Sequence, residues 1–253
     1  MAPEFILILL IFAIQWLAFI PAIYFKTERF YDLVGGLTYT VVIFIALLYS
    51  HNGHWRSGLL GLMLIVWSLR LGVFLFLRIR TAGGDSRFEK IKISPVSFFI
   101  AWSLQGVWIT FTASAAILAI TSTEVAYFGF VSVLGLTLWI VGFSIEVIAD
   151  QQKLRFRKEP SNANQFISSG LWSFCRHPNY TGEIMLWLGI ALIAYPVLDA
   201  WHQLSLLSPV FVALLLTRGS GIPILERAAE AKWGETEAYK HYKASTPRLF
   251  PGY

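Results

Sequence analysis

Long apolar runs separated by short polar, mostly basic stretches set the pattern of this chain, as in "FILILLIFAIQWLAFIPAIYF" followed by "KTER". The runs lack the period-two alternation of a membrane β-barrel, so helices that satisfy their own backbone are the expected spanning elements. Seven spans are predicted: Phe5–Phe25, Leu33–Ser50, Gly58–Leu77, Val96–Ile120, Val125–Ala149, Tyr180–Val197 and Leu204–Leu225. Each approaches the ~20 residues that a bilayer requires. The last carries Pro209, Arg218 and Pro223 and is predicted to be a broken helix that continues into a cytoplasmic one. No cationic segment precedes the first run and no clear small-residue cleavage site follows it, so it is expected to be a membrane helix rather than a signal peptide.

Composition agrees. Of 253 residues, 56% are hydrophobic and only 14% charged, too apolar for an ordinary soluble domain. The predicted fold class is therefore all-α, a polytopic integral membrane protein with about seven transmembrane helices. The basic residues fix an expected orientation, because Lys and Arg accumulate in cytoplasmic loops. With the N-terminus outside and the C-terminus cytoplasmic, Lys26, Arg29, the Arg78–Lys92 group, the Lys153–Arg176 group and the basic C-terminal segment all face inward. Arg56 alone falls in an outer loop. That distribution accounts for the net charge of +5 without invoking nucleic acid. With no fixed-period repeat and no long low-complexity linker, the chain is expected to be one membrane domain over 1–253.

Several chemistries are disfavoured. The lone cysteine, Cys175, rules out an intramolecular disulfide framework, and the five histidines show no HExxH or paired helical spacing, so no metal centre is expected. The chain also lacks G-x-G-x-x-G and Walker patterns, so a bound nucleotide would be held without a Rossmann or P-loop fold.

Three polar groups stand against the apolar background. In "SIEVIADQQKLRFRKEP", Glu146, Asp150, Lys153 and Arg157 recur at intervals of four, three and four residues, which lines them along one stripe of a helix. A solvated helix end with ion pairs explains much of this stripe, but Glu146 falls inside the membrane run, where an ionisable side chain usually faces a polar cavity. In "CRHPNYTGE", Pro178 predicts a helix start, with Arg176 and His177 just before it, Asn179 and Tyr180 in its first turn, and Glu183 four residues after Asn179. Free backbone N–H groups and a flanking Arg make such a start an anion site; the alternative is a basic membrane anchor with an ordinary cap. In the tail, Glu226, Glu230, Trp233 and Glu237 share one stripe and Tyr239 and Tyr242 are three apart, a pattern that an amphipathic surface helix also gives.

Together these blocks resemble the steroid 5-alpha-reductase and sterol-reductase superfamily: E-x-x-x-D-x-x-K-x-x-x-R from Glu146 to Arg157, GLW-x-x-x-RHPNY-x-GE from Gly170 to Glu183, and E-x-x-x-x-x-KWG-x-x-x-x-Y-x-x-Y from Glu226 to Tyr242. More narrowly, "YDLVGG", "SLRLGVFLFLRIR" and "GGDSRF" are similar to a bacterial branch of it that is described only as a domain of unknown function. The resemblance implies a bacterial inner-membrane enzyme, with substrate-side helices in 1–95 and a cofactor-binding half in 96–253. It also implies a cytosol-facing NADPH pocket lined by the counterparts of Lys153, Arg157, Trp172, Asn179, Tyr180, Glu226 and Tyr239. Asp150, Arg176, His177, Glu183 and Tyr242 lie in the same blocks and complete the candidate cofactor-binding set. Phosphates and adenosine would fall to Lys153, Arg157 and Arg176, and the nicotinamide to Asn179 and Tyr180. Glu226 stands where some relatives have Asp. The Gln-Glu-Leu triplet that supplies the catalytic Glu of the steroid 5-alpha-reductases is absent.

The implied reaction is NADPH-dependent reduction of an activated C=C bond in a lipophilic, steroid-like or isoprenoid-like substrate. Such a step needs an acid that polarises the neighbouring carbonyl as hydride arrives. Candidates come from the N-terminal half: Tyr31 and Asp32 at the start of the second span, and Arg70 about seven residues, roughly 10 Å, from the end of the third. Asp32 could equally pair with a buried Arg70, and Asp85 with Arg87 could close the cofactor pocket. The rival class is the membrane isoprenylcysteine and phospholipid methyltransferases, which share the RHPxY-like block and paired tyrosines but bind S-adenosylmethionine. Phosphates call for several cations; a sulfonium ligand does not. A transporter or scaffold would instead spread polar residues through the mid-membrane helices.

Overall fold

The computed structural model describes residues 3–50, 53–85, 88–219 and 221–250; Arg87 lies outside them. The helices are α1 (Pro3–Tyr24), α2 (Tyr31–Leu48), α3 (Trp55–Ala82), α4 (Pro95–Thr121), α5 (Phe130–Lys158), α6 (Pro178–Ala194), α7 (Ser208–Arg218), α8 (Ile222–Trp233) and α9 (Glu237–Ser245). The described residues form no strand. Seven helical stretches, the last being the run Ala200–Trp233, are long and apolar enough to cross a membrane. This is the all-α, seven-span architecture that the hydropathy predicts.

Helix ends follow local chemistry. Ser94 caps α4, its Oγ accepting the N–H of Ser97 at 3.3 Å, with Pro95 in the first position. Gly83, at φ 83°, ends α3 in the left-handed conformation that glycine adopts without a Cβ penalty. Pro178 starts α6 as expected. Three boundaries differ from the hydropathy by five residues or more, the first being the end of α3, which runs past Leu77 to Ala82. The fifth span begins at Phe130, not Val125, because residues 122–129 are non-helical and Gly129 is extended at ψ −175°. At its other end α5 does not stop at Ala149 but runs on to Lys158, so the Glu146-to-Arg157 stripe lies on one unbroken helix. The predicted break in the last span falls between Arg218 and Ile222, with Gly221 before α8 and Pro223 in its first turn.

The chain divides into two compact units, Met1–Tyr127 with Ile193–Ser208, and Phe128–Leu192 with Pro209–Tyr253. In the first, α2 and α3 form a hairpin whose backbones close together at Gly36 and Gly72: a Cβ on Gly36 would sit 2.6 Å from the Ser68 carbonyl. An aromatic core of Phe88, Phe98 and Trp102 lies at the end of this unit where α2 and α4 begin, joined by Phe19, Phe30 and Tyr31. At the other end Arg56 is only 2% exposed. Its Nε donates to the Ile193 carbonyl at 3.0 Å and its Nη2 to that of Ala126 at 3.1 Å, while its guanidinium stacks 4.6 Å from the Trp55 ring. The one basic residue assigned to an outer loop is therefore a buried tie.

In the second unit α5 and α6 meet along glycines seven residues apart on each helix. Gly142 faces Gly182 and Gly135 faces Gly189, and a Cβ at Gly142 would lie 2.5 Å from the Gly182 carbonyl. Such small-residue seams let membrane helices approach closely. A Cβ on Gly182 would likewise meet the backbone N of Glu146 at 2.7 Å. The seam thus brings Glu146 and Glu183 to one level of the helix pair, and both are buried.

Candidate cofactor site

The second unit gathers the three polar blocks. The stripe of α5 passes from buried to exposed along its length: Glu146 and Asp150 are buried, Lys153 is half-buried and Arg157 exposed. After α5 the chain returns against it through a turn at Gly170, whose φ of 62° and lack of a Cβ both matter, since a Cβ would press on the Gln152 amide. Gln152 Oε1 accepts the Leu171 N–H at 2.9 Å, and Trp172 Nε1 donates to the Ala149 carbonyl at 3.1 Å. With Trp172 fixed in this way, Lys153 Nζ rests 4.4 Å from its ring centroid. A desolvated cation over an indole face is held electrostatically.

The segment before α6 is tied to the C-terminal tail. The N–H groups of Arg176 and His177 donate to the carbonyls of Pro247 and Arg248, and Thr181 Oγ1 to that of Leu249 at 2.8 Å. Arg176 directs Nε and Nη2 at Glu226 Oε1, at 2.9 and 2.8 Å, and Nη1 at the carbonyls of Lys243 and Thr246. Glu226 also receives His177 Nε2 at 3.3 Å and Arg248 Nε at 3.5 Å. Among the residues singled out by the sequence, Arg176 and Glu226 are thus partners of one another. Arg248 and the Pro247–Leu249 segment were not singled out; "PRLFPGY" carried only a lone Arg as a signal.

His177 is the most constrained titratable group here. Burial, helped by the positive charges of Lys153 and Arg176, outweighs the Glu226 hydrogen bond and holds its pKa below the ordinary value. It is therefore neutral at pH 7. Because the Glu226 carboxylate can only accept, Nε2 carries the proton and Nδ1 is a bare acceptor, buried with no hydrogen-bond partner. Tyr180 stacks on the imidazole at 5.7 Å between ring centroids, and Asn179 sits half-buried beside it in the first turn of α6.

The two tyrosines of α9 serve the loop. Tyr242 OH donates to the Trp172 carbonyl at 2.6 Å, and burial pushes its pKa up strongly, so it remains a phenol. Tyr239 is buried and packs on Phe166 at 5.2 Å, as Tyr242 does at 5.3 Å; Phe166 also meets Trp233. Phe166 lies in a polar loop, and no periodicity pointed to it.

The substrate-side candidates belong to the first unit. Tyr31 OH donates to the Ala101 carbonyl at 2.8 Å and its ring packs on Phe88 and Trp102. Asp32 lies in the first turn of α2, where a carboxylate complements the helix dipole. The half-buried Arg70 places its guanidinium 5.4 Å from the Phe74 ring. Asp85 donates its backbone N–H to Glu28 Oε1 at 3.0 Å. Glu28, buried and bonded through Oε2 to Lys92 at 2.9 Å, anchors the Gly-Gly-Asp loop and was not foreseen from sequence.

For a dinucleotide, the α5 stripe offers Lys153 and Arg157 to phosphates, and His177 Nδ1 is an acceptor suited to an amide N–H or a ribose hydroxyl. The donor and acceptor types fit that ligand. No curated protein and no solved structure matches the chain. The model of a family described as a protein of unknown function (DUF1295) matches residues 18–246, from the middle of α1 through α9, and the chain belongs to that family.

Proposed function

We propose that this protein is a membrane-embedded, NADPH-dependent reductase of an activated C=C bond in a lipophilic substrate, with its cofactor site facing the cytoplasm. The observation that carries the reading is the second unit's collection of Asp150, Lys153, Trp172, His177, Asn179 and Tyr180 around the junction of α5 with α6, in the order in which the steroid-reductase-like blocks occur. NADPH would supply the hydride; the chain would hold and orient it. Lys153 and Arg157 serve the phosphates, and the neutral His177 accepts through Nδ1 from the carboxamide or a ribose hydroxyl. Asn179 and Tyr180 define that end of the site. Arg176 acts one step back, keeping Glu226 and the tail in place so that His177 has its single tautomer. Tyr31, Asp32 and Arg70 stay as candidates for polarising the substrate carbonyl.

The same Arg176 geometry supports a second reading. Its guanidinium is engaged by Glu226 and two carbonyls, which lowers the number of cations turned to a ligand from the three expected. An S-adenosylmethionine-dependent methyltransferase would need fewer. Thermal stabilisation of the full chain in detergent by NADPH, NADH and S-adenosylmethionine, tested in parallel, separates the two. A preference for NADPH that is lost with Arg157→Ala is the expected result. Stabilisation by S-adenosylmethionine alone would replace the reductase with the methyltransferase.

A further inference from the structure

At the end of the first unit where α1 stops, α2 begins and α3 gives way to the Gly-Gly-Asp loop, a cleft of about 540 Å³ is lined by Phe25, Lys26, Glu28, Arg29, Phe30 and Lys92, among others. Three cations face one carboxylate there, and that carboxylate is already committed: Glu28 is bound to Lys92 and to the Asp85 N–H. Its charge therefore offsets Lys92, and Lys26 and Arg29 leave the cleft positive.

Lys26 is held in an unusual way. The Lys26 N–H donates to the Ile23 carbonyl and the Thr27 N–H to that of Ala22, at 3.3 and 3.0 Å, so α1 closes with the paired bonds of a Schellman cap. The position after the cap takes φ 48°, which is normally given to glycine, yet here it carries lysine. A left-handed conformation strains an L side chain, whose Cβ crowds the neighbouring carbonyl. Strain kept at a ligand-facing position motivates a functional assignment.

Apolar residues in the cleft's lining or near it in sequence identify the ligand. Tyr24, Phe25, Ile93 and Val96 are each more than two-thirds exposed, at the junctions where apolar helices end. Aromatic and aliphatic side chains at that level meet lipid, not bulk water. We propose that this cleft binds the phosphate headgroup of an anionic phospholipid, with Lys26 and Arg29 as the recognising cations and these apolar residues against the acyl chains. The site is independent of any nucleotide.

The test titrates the full chain, in neutral detergent micelles, with phosphatidylglycerol, with phosphatidylcholine of the same acyl chains, and with inorganic phosphate, reading the unfolding midpoint by tryptophan fluorescence. Phosphatidylglycerol stabilises saturably and phosphatidylcholine does not. Lys26→Gly unfolds at a higher temperature than wild type without lipid, because the strain is gone, yet binds phosphatidylglycerol about fivefold more weakly, the factor for one interfacial cation. Arg29→Gln weakens binding similarly. Equal response to the two lipids, or unchanged affinity in both variants, overturns the site. An inorganic phosphate effect equal to that of phosphatidylglycerol overturns the lipid assignment.

Discussion

Three arginines illustrate how far a residue's neighbours decide its work. Arg56 is enclosed and spends its donors on the carbonyls of Ile193 and Ala126; Arg176 is bound to Glu226; Arg157 stands exposed at the end of the stripe. In sequence, Arg157 and Arg176 stand in basic loops and share one expected role, while Arg56 stands alone as the outer-loop exception. His177 gives the sharpest test at this scale. Its folded pKa is depressed below 6.5, so as pH falls through that value the unfolded chain takes up a proton that the folded chain refuses. Stability contributed by the neutral ring is complete above about pH 6.5 and is lost as pH drops towards the folded value, with a slope of at most one proton, about 1.4 kcal/mol per pH unit. Replacing it by His177→Gln keeps a donor for Glu226 but removes the titration. Unfolding midpoints followed from pH 7.5 to 5 should fall less steeply in the variant than in wild type, and parallel curves would remove His177 from the account.

Among elements, the helices were largely legible because each long apolar run must become one in a membrane, and Pro178 marks an end by a local rule; the hydropathy missed the end of α3 before Gly83 by five residues. The seam between α5 and α6 was not legible. Glycines at 135, 142, 182 and 189 read individually as permissive residues within apolar runs, and only the antiparallel pairing of the two helices makes Gly142 face Gly182. Hence Gly182→Ala, a single methyl, should cost roughly 1–3 kcal/mol, since the new Cβ meets backbone that cannot rotate away. Gly58→Ala in α3, where nothing lies within 4 Å, serves as the matched control and should leave the unfolding midpoint near wild type. Glu146 and Glu183 share the Gly182 level, so Gly182→Ala should also weaken NADPH stabilisation. If Gly182→Ala and Gly58→Ala behave alike, the helices do not approach so closely.

For the whole molecule, the sequence carried the local content of each candidate site but not the long-range pairing. The resemblance implied one site for Glu146 to Arg157, Gly170 to Glu183 and Glu226 to Tyr242. That Glu226 would receive Arg176, His177 and Arg248, or that Tyr242 would hold the Trp172 carbonyl, depends on contacts across dozens of residues, which one chain's periodicity does not encode. The same limit hid Glu28, an isolated acid in a basic turn whose partners Asp85 and Lys92 lie far along the sequence.

The orientation expected from the basic loops can be tested with the protein's own chemistry. Seven crossings would put the termini on opposite sides, and the distribution of Lys and Arg predicts that Lys26, Arg29, residues 78–92, residues 153–176 and the tail face the cytoplasm. Arg56, the apparent exception, is no free loop charge, because its guanidinium is buried against carbonyls and the Trp55 ring. Cys175 is the only native cysteine; it is buried, and burial pushes its thiol pKa up, so it should resist a polar maleimide. Single cysteines at two exposed acids then report the two faces: Glu124→Cys between α4 and α5, and Glu235→Cys between α8 and α9. In intact cells an impermeant maleimide should label Glu124→Cys, whereas Glu235→Cys should react only after permeabilisation. The reverse pattern would invert the protein and put the α5–α6 site on the face without NADPH, so the labelling also decides whether a cytoplasmic cofactor is available to it.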